Sequence, residues 1–513
     1  MPTSQTRTDA ARTPTATPPF AIGGARPHLI GIGGCGMSAL ARLLHSTGLD
    51  VQGVDTTPSP TTHALIRDGI PTGIDSPDAS LPDDRDLVIA SAAVKHDHPH
   101  VLAAAQRGID VLSYPEALGR CMAARTGIAI AGTHGKSTTT AMLGCALTDA
   151  GLDPSVIVGA TCRQLRSGPL NTAGEGTPTG FRLGSGEVPR GPLAGRPGLL
   201  LAEACEFNRS FHNLRPTIAV INSVEADHLD IYASLDEIIE AFAAFARLVP
   251  GRRDGGVLLI AHDGAHRTKV TAGLDCDIRT FGFSPAADYH VEFDPESRRV
   301  AVNHEGERLA QWTNAMPGEH NAMNAATALI TGHTAGADPE TLARSLEAFR
   351  GLDRRLQFLG KRNHVRVYDD YGHHPTEIDK TLAAIRQADD PARHGGRLIC
   401  VFQPHQHSRT RFLMEEFATS FSAADIVIVP HIYFVRDSQI EKTRVSAGDL
   451  VDRLRHKGVQ AMHLYPFEAI AEHLEVVTRP GDLVIVMGAG PVWQVAHQFL
   501  GIGEADSAAE PKP

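Results

Sequence analysis

The sequence predicts an α/β protein of three domains, each a parallel sheet with helical crossovers. Three observations carry that expectation. The chain has 513 residues, which at ~150 residues per domain gives three. Short apolar runs alternate with helix-like segments throughout, the pattern of right-handed βαβ units. Two glycine-rich loops, about a hundred residues apart, each join a strand to a helix.

Composition narrows the functional classes. A net charge of −11 disfavours an extended nucleic-acid or anionic-membrane surface while leaving room for a local basic pocket. Seven cysteines without a C-x-x-C pair read as reduced thiols of a cytoplasmic protein. No apolar run reaches the ~18 residues of a transmembrane helix. Residues 1–23, rich in Thr, Ala and Pro, and residues 504–513 read as disordered tails.

The first segment, 24–124, opens with the strand His28-Leu29-Ile30 and the loop Gly31-Ile32-Gly33-Gly34-Cys35-Gly36, followed by a helix from Met37. G-x-G-x-x-G between strand and helix is a dinucleotide or phosphate fingerprint, and the next strand ends at Asp55, near the ~20-residue offset of a ribose-binding acid. A third strand, Leu87 to Ala90, ends at Ser91. Alone, this half reads equally as an NAD-dependent enzyme.

The second segment, 125–349, carries the stretch that argues otherwise. Ile128 to Ala131 is a strand, Gly132-Thr133-His134-Gly135-Lys136-Ser137-Thr138 a phosphate loop, and a helix follows. In such a loop backbone N–H groups face the phosphates, the Lys reaches the β/γ oxygens and the hydroxyl meets Mg²⁺. Ile130 stands where the strict pattern has its first Gly, so the loop is a shortened variant. Strand Leu199 to Ala202 ends at Glu203, and strand Ile218 to Ile221 leads to Asp227-His228-Leu229-Asp230. Acids at the carboxyl ends of strands beside a phosphate loop are candidate Mg²⁺ ligands, Glu203 foremost. His228 is an unusual ligand for that ion and reads as either ligand or hydrogen-bonding group. Residues 165–198, dense in Gly, Pro and Arg, read as a flexible insertion. Pro317-Gly318-Glu319-His320-Asn321 opens a helix of small residues, either ligand-contacting or simply capped and buried.

In the third segment, 350–503, strand Val365 to Tyr368 leads to Asp369-Asp370-Tyr371-Gly372-His373-His374-Pro375, and strand Leu398 to Phe402 to a loop ending Arg409-Thr410-Arg411. The helix between them carries Ile378, Leu382 and Ile385 on one face. Two polar clusters at neighbouring strand ends point to a ligand.

These motifs are recognisable together. The chain resembles the ATP-dependent peptidoglycan Mur ligases through GIGGCGMS (31–38), GTHGKST (132–138), EACEFNRSF (203–211), EADHLDIY (225–232), PGEHNAMNA (317–325), DRR (353–355), YDDYGHHPTEI (368–378) and FQPHQHSRTR (402–411), in the family's order. The resemblance implies a Rossmann-like UDP-binding domain, a central P-loop ATPase-like parallel/mixed sheet domain and a C-terminal Rossmann-like α/β domain. It implies phosphorylation of the lactyl carboxylate of UDP-N-acetylmuramate by ATP with Mg²⁺, then attack by the amine of L-alanine. Lys136 would then stabilise the γ-phosphate; Ser137, Glu203 and His228 would hold the metal; His320 and Asn321 would contact adenine and Asp370 the ribose. Arg355 would reach the phosphates from the third domain. Gly31, Gly33, Gly34, Cys35, Gly36 and Met37 would bind the UDP pyrophosphate, with Asp55 and Ser91 nearby, and Tyr371, His373 and Arg409 would face the muramyl carboxylate and the alanine. The implied enzyme is cytoplasmic, a monomer or homodimer, without nucleic-acid or stable membrane partners.

The chain departs from the family pattern at Ser137 (usually Thr), Leu356 (usually Phe) and Gln406-His407 (usually Arg-Tyr). The last change removes a positive charge near the acceptor pocket and bears on the alternative of a recycling ligase that attaches a tripeptide. A non-catalytic UDP-sugar sensor would have lost Lys136 and Glu203, and a nicotinamide oxidoreductase has no use for the second phosphate loop.

Overall fold

The computed structural model describes residues 22, 24–76, 80–168, 179–227, 231–435 and 437–502. Three sheets follow one another along the chain. The first, all parallel, places the strands in the order Thr72–Ile74, Gln52–Asp55, Pro27–Ile30, Leu87–Ala90, Asp110–Ser113. Chain direction across the sheet reverses between Pro27–Ile30 and Leu87–Ala90, and the first glycine loop leaves the sheet at that switch point, where α/β sheets open a crevice.

The central sheet has ten strands. Thr126–Ala131, with all six residues buried, lies between Ile218–Ile221 and Leu199–Glu203, parallel to both. The phosphate loop therefore emerges between the ends of those neighbours, beside Asn222 on one side and Glu203 on the other. The sheet is mixed. Tyr289–Asp294, Arg299–His304 and Glu307–Thr313 form an antiparallel wing. Its hairpin turns at Glu305-Gly306, both with positive φ (53° and 84°), the twist that suits a two-residue connection. The period-2 pattern of this wing is the part of the alternation that parallel crossovers do not describe.

The expected flexible insertion is corrected for its described part. Thr179–Arg182 pairs antiparallel with Ser155–Cys162 as an edge strand, and Leu165, Val188 and Leu193 are buried in the central core. Its few apolar residues, spaced between glycines and prolines, give no periodicity, yet these three fill sites in the core while Leu183 stays exposed. Residues 169–178 of that expectation lie outside the described residues. The expected N-terminal tail is likewise corrected at Ile22, which packs into the first core; the other residues of both expected tails lie outside the described residues.

The third sheet runs Gln357–Arg362, Val365–Asp370, Leu483–Met487, Leu398–Phe402, Ile426–Val429, Gln460–His463, parallel except for its first strand. Asp370, Gly488 and the loop 403–409 thus leave the sheet at one edge. That edge faces the central phosphate loop: the His374 ring lies 3.1 Å from the Ala226 carbonyl, the Thr376 hydroxyl donates to Glu225 at 3.1 Å, and Arg409 donates to Asp227 at 2.9 Å.

Candidate active site

The helix Lys136–Asp149 begins directly after Gly135, which adopts φ +80° and approaches Asn324 so closely that a Cβ would lie 2.3 Å from Asn324 Oδ1. Only glycine meets both demands. The loop is strapped from the side: Thr133 N–H donates to the Ser223 carbonyl, His134 N–H to Ser223 Oγ, and Glu225 N–H to Thr133 Oγ1. The first amides of the helix, from Lys136 on, have no carbonyl one turn back and remain for an anion.

Two adjoining cavities meet at this loop. One, of about 150 Å³, is lined by Thr138, Asn222, His320, Asn321 and Asp370. The other, of about 460 Å³, is lined by Lys136, Glu203, Glu206, Tyr371, His373 and Arg409, with Cys35 from the first domain. His134, Gly135, Ser137, Arg355 and Glu377 belong to both walls. A nucleotide lying in the smaller cavity would present its terminal phosphate at that shared wall, to whatever occupies the larger.

The electrostatics are set by carboxylates. Lys136 Nζ lies 2.9 Å from Glu206 Oε2 and donates to the carbonyls of Gly132 and Thr133. Burial disfavours its charge, but Glu206 outweighs that and raises its pKa. His134 lies 3.5 Å from Glu225 and 3.4 Å from Glu377 of the third domain. Burial works against its proton, and the two facing carboxylates more than offset it, lifting the pKa to about 9. Glu203 is pushed up by burial against the hydrogen bond from Ser137, and its Oε1 is buried with no hydrogen-bond partner among the described residues. His320 and His373 are held near pKa 4, chiefly by burial, and stay neutral. Asp370 accepts from the Gly372 and Leu356 amides, both at 2.7 Å, and burial raises it to about 6.

Arg355 stands 3.7 Å from Glu377, its guanidinium 5.1 Å from the centre of the Tyr371 ring, which Arg354 approaches equally closely. The Arg pair and Tyr371 thus form one stacked unit. Arg409, by contrast, is held by Asp227 in a buried pair. Asp227 therefore ties the central domain to the third. His228 and Asp230 lie outside the described residues. Asn321 sits in the nucleotide cavity with its amide donating to the Pro317 carbonyl at 2.8 Å.

In the first domain, Gly33 N–H donates to Asp55 Oδ2 at 2.7 Å, and a Cβ on Gly31 would meet Ser91 Oγ at 2.8 Å. Asp55 and Ser91 thus frame the loop. The helix Cys35–Ser46 offers its first amides at Cys35, Gly36 and Met37. The Met37 thioether is buried in the first core, so what this residue offers a ligand is its backbone amide. Gly31, Gly33, Gly34, Asp55 and Ser91 stay outside the large cavity, whereas Cys35 reaches it.

Sequence reasoning passed over Glu206, Glu225, Glu377 and Asn324. Glu206, three residues past Glu203 in the same strand-end turn, carried a usable signal. Glu377 reads as an ordinary helix-start acid, and it does hold the His373 N–H at 3.0 Å while also gripping His134.

A phosphate loop on a central sheet, capped by a third domain that sends an arginine to the loop and preceded by a second glycine loop, defines a three-domain nucleotide-dependent enzyme. Family models agree domain by domain: Mur ligase family, catalytic domain, over residues 26–126; Mur ligase middle domain over 130–332; and Mur ligase, glutamate ligase domain, over 354–490. The sequence is 38% identical over 484 residues to the UDP-N-acetylmuramate–L-alanine ligase of Kineococcus radiotolerans, covering 93% of this chain and 96% of that protein. It is 36% identical to that of Geobacter sp. strain M21, covering 93% and 97%. The crystal structure of the UDP-N-acetylmuramate-alanine ligase MurC from Thermotoga maritima superposes with a TM-score of 0.72 at 25% identity, covering 93% of this chain and 98% of that one. A murein peptide ligase from Psychrobacter arcticus shares the fold, with a TM-score of 0.68 at 24% identity and the same coverage. The chain belongs to the Mur ligase family.

Proposed function

We infer that this chain is an ATP-dependent ligase that joins L-alanine to the lactyl carboxylate of UDP-N-acetylmuramate in peptidoglycan precursor synthesis. The observation that carries the reading is the wall of His134, Gly135, Ser137, Arg355 and Glu377 shared by two cavities. One cavity suits a nucleotide, and the other opens toward the first domain's glycine loop.

A carboxylate is a poor electrophile. Phosphoryl transfer breaks the bond between the γ-phosphorus and the ADP oxygen and makes one to the lactyl carboxylate. The alanine amine then attacks the activated carbonyl carbon, loses a proton and expels inorganic phosphate. Such transfer depends on positioning and charge neutralisation more than on protein nucleophiles. Arg355 at the shared wall and Lys136 beside it in the larger cavity supply the positive charge. His320 and Asn321 suit the adenine, Asp370 the ribose, and the first helix start with Asp55 and Ser91 the uridine diphosphate. Tyr371, neutral His373 and Arg409 border the space left for the carboxylate and the amine.

The donor set fits Mg²⁺. The Ser137 hydroxyl and the recessed, otherwise unpartnered Glu203 Oε1 are hard oxygen ligands, and Mg²⁺ takes few of these beside phosphate oxygens and water. When bound, the ion would neutralise phosphate charge. Among the described residues no helix is long and apolar enough to cross a membrane, and we assign the enzyme to the cytoplasm, as a monomer or homodimer.

The test is phosphate release from ATP in the presence of UDP-N-acetylmuramate and each amino acid in turn, with an L-alanyl tripeptide as a further acceptor. Release with L-alanine well above release with tripeptide supports the reading. Preference for tripeptide would make the chain a recycling ligase, and no release under any pairing would overturn the assignment.

A further inference from the structure

The first domain holds a cluster of imidazoles and a carboxylate that the ligase reaction does not use. We propose that Asp75, His98 and His100 form a binding site for a divalent borderline transition metal of the Zn²⁺ class, with His28 as outer-shell partner. One donor atom from each of the three lies within 4.8 Å of the others. His98 Nε2 is 2.9 Å from Asp75 Oδ2.

The chain fixes both sides of the site. Asp75 directly follows the strand Thr72–Ile74, and its N–H donates to the Asp55 carbonyl at 2.7 Å. His98 caps the helix Pro99–Gln106, and His100 sits in that helix's first turn. A tetrahedral ion with bonds of ~2.0–2.1 Å places its ligand atoms ~3.3 Å apart, so side-chain adjustments of about an ångström close the cluster. Two imidazoles and one carboxylate suit Zn²⁺, and leave a fourth position for water.

His28 completes the arrangement. Its Nε2 lies 3.1 Å from His100 Nδ1, the contact by which an outer-shell group orients a ligating imidazole. His28 is itself buried. Its Nδ1 is buried with no hydrogen-bond partner among the described residues. The nearby guanidinium of Arg85 is already paired with Asp50 at 2.8 Å and with Asp84. The edge of the site is accessible, the Asp75 and His98 side chains being 14% and 17% exposed.

Coordination uses the lone pair of His98 Nε2. The neutral ring's one proton, which Nε2 shares with Asp75, moves to Nδ1, giving up the 3.2 Å contact from His100 N–H, and a second proton on the ring would block the site. Binding therefore weakens as pH falls through the imidazole range. Because Asp75 is bonded to Asp55, which holds Gly33, an ion here would brace the glycine loop from below.

The test uses the full chain stripped with chelator, titrated with ZnCl₂ in excess Mg²⁺ by calorimetry, and with Co²⁺ by visible absorption. Wild type is expected to bind one equivalent with a tetrahedral Co²⁺ spectrum. Asp75→Asn and His98→Asn, the latter keeping a helix-capping side chain, are expected to lose both signals with unchanged circular dichroism. Glu225→Gln, which disrupts a second cluster of His134, Glu225 and His374 at the nucleotide cavity, should leave the equivalent in place. Absence of binding by wild type, retention in both first-domain variants, or loss in Glu225→Gln would overturn the proposal.

Discussion

The ammonium of Lys136 lies 2.9 Å from the carboxylate of Glu206, so the lysine that the phosphate loop offers to a nucleotide already has a buried counter-ion. On the proposed function, nucleotide binding exchanges that carboxylate for phosphate oxygens. Glu206→Gln leaves the ammonium recessed without its partner and is expected to lower stability by about 3 kcal/mol, with recovery on adding a non-hydrolysable ATP analogue. Thermal unfolding with and without the analogue reads both effects; an unchanged melting temperature in the apo variant would show the pair to be dispensable. Lys136→Ala is expected to abolish turnover while binding of the UDP-sugar persists.

Arg355 touches both cavities from the third domain. Arg355→Ala is expected to lower kcat by roughly 10³-fold, the scale of an arginine that stabilises phosphoryl-transfer charge. Calorimetric affinity for UDP-N-acetylmuramate should stay within error of wild type. A loss of sugar-nucleotide affinity equal to the loss of kcat would count against a role at the phosphates.

The His134 clasp gives a pH dependence with a definite sign. Its folded pKa of about 9 exceeds the ordinary 6.5, so its contribution to holding the third domain is fully present below 6.5 and fades as pH rises through about 9. Glu225, ion-paired with His134 at 3.5 Å, is depressed to about 2; its contribution is present above 4.5 and is lost only as pH falls through about 2. Small-angle scattering from pH 6 to 10 should show the particle loosening at the alkaline end in wild type, with His134→Gln already loosened at pH 6. A radius independent of pH in wild type would rule the clasp out as a domain contact of consequence.

Asp55 shapes the first glycine loop through Gly33 N–H. A hydrogen bond to a charged acceptor contributes about 1.5–3 kcal/mol, so Asp55→Ala should raise KM for UDP-N-acetylmuramate by roughly 10-fold or more. KM for ATP should not move. An equal rise in both would mean that the variant disturbs the whole fold.

Much of the architecture was legible along the chain. Strand Ile128 to Ala131, its glycine loop and the following helix announce themselves locally, because every signal lies within one βα unit. The same holds for Gly31 to Gly36. The antiparallel wing at 289–313 was not legible from alternation alone, and the described part of 165–198 reads as loop because isolated residues such as Val188 and Leu193 carry no period.

Local order fixed where the two strand–glycine-loop–helix units lie and where each domain's sheet edge falls, since backbone geometry and glycine tolerance are properties of short segments. Tertiary structure alone decided what each charge does. Asp227 and Arg409 stand 182 residues apart and Lys136 and Glu206 70, yet each pair shares one desolvated contact. An acid at a strand end is a metal ligand, an anchor or a counter-ion according to its neighbour. That neighbour is set by how three sheets pack, because Coulomb interaction and desolvation act through space rather than along the chain.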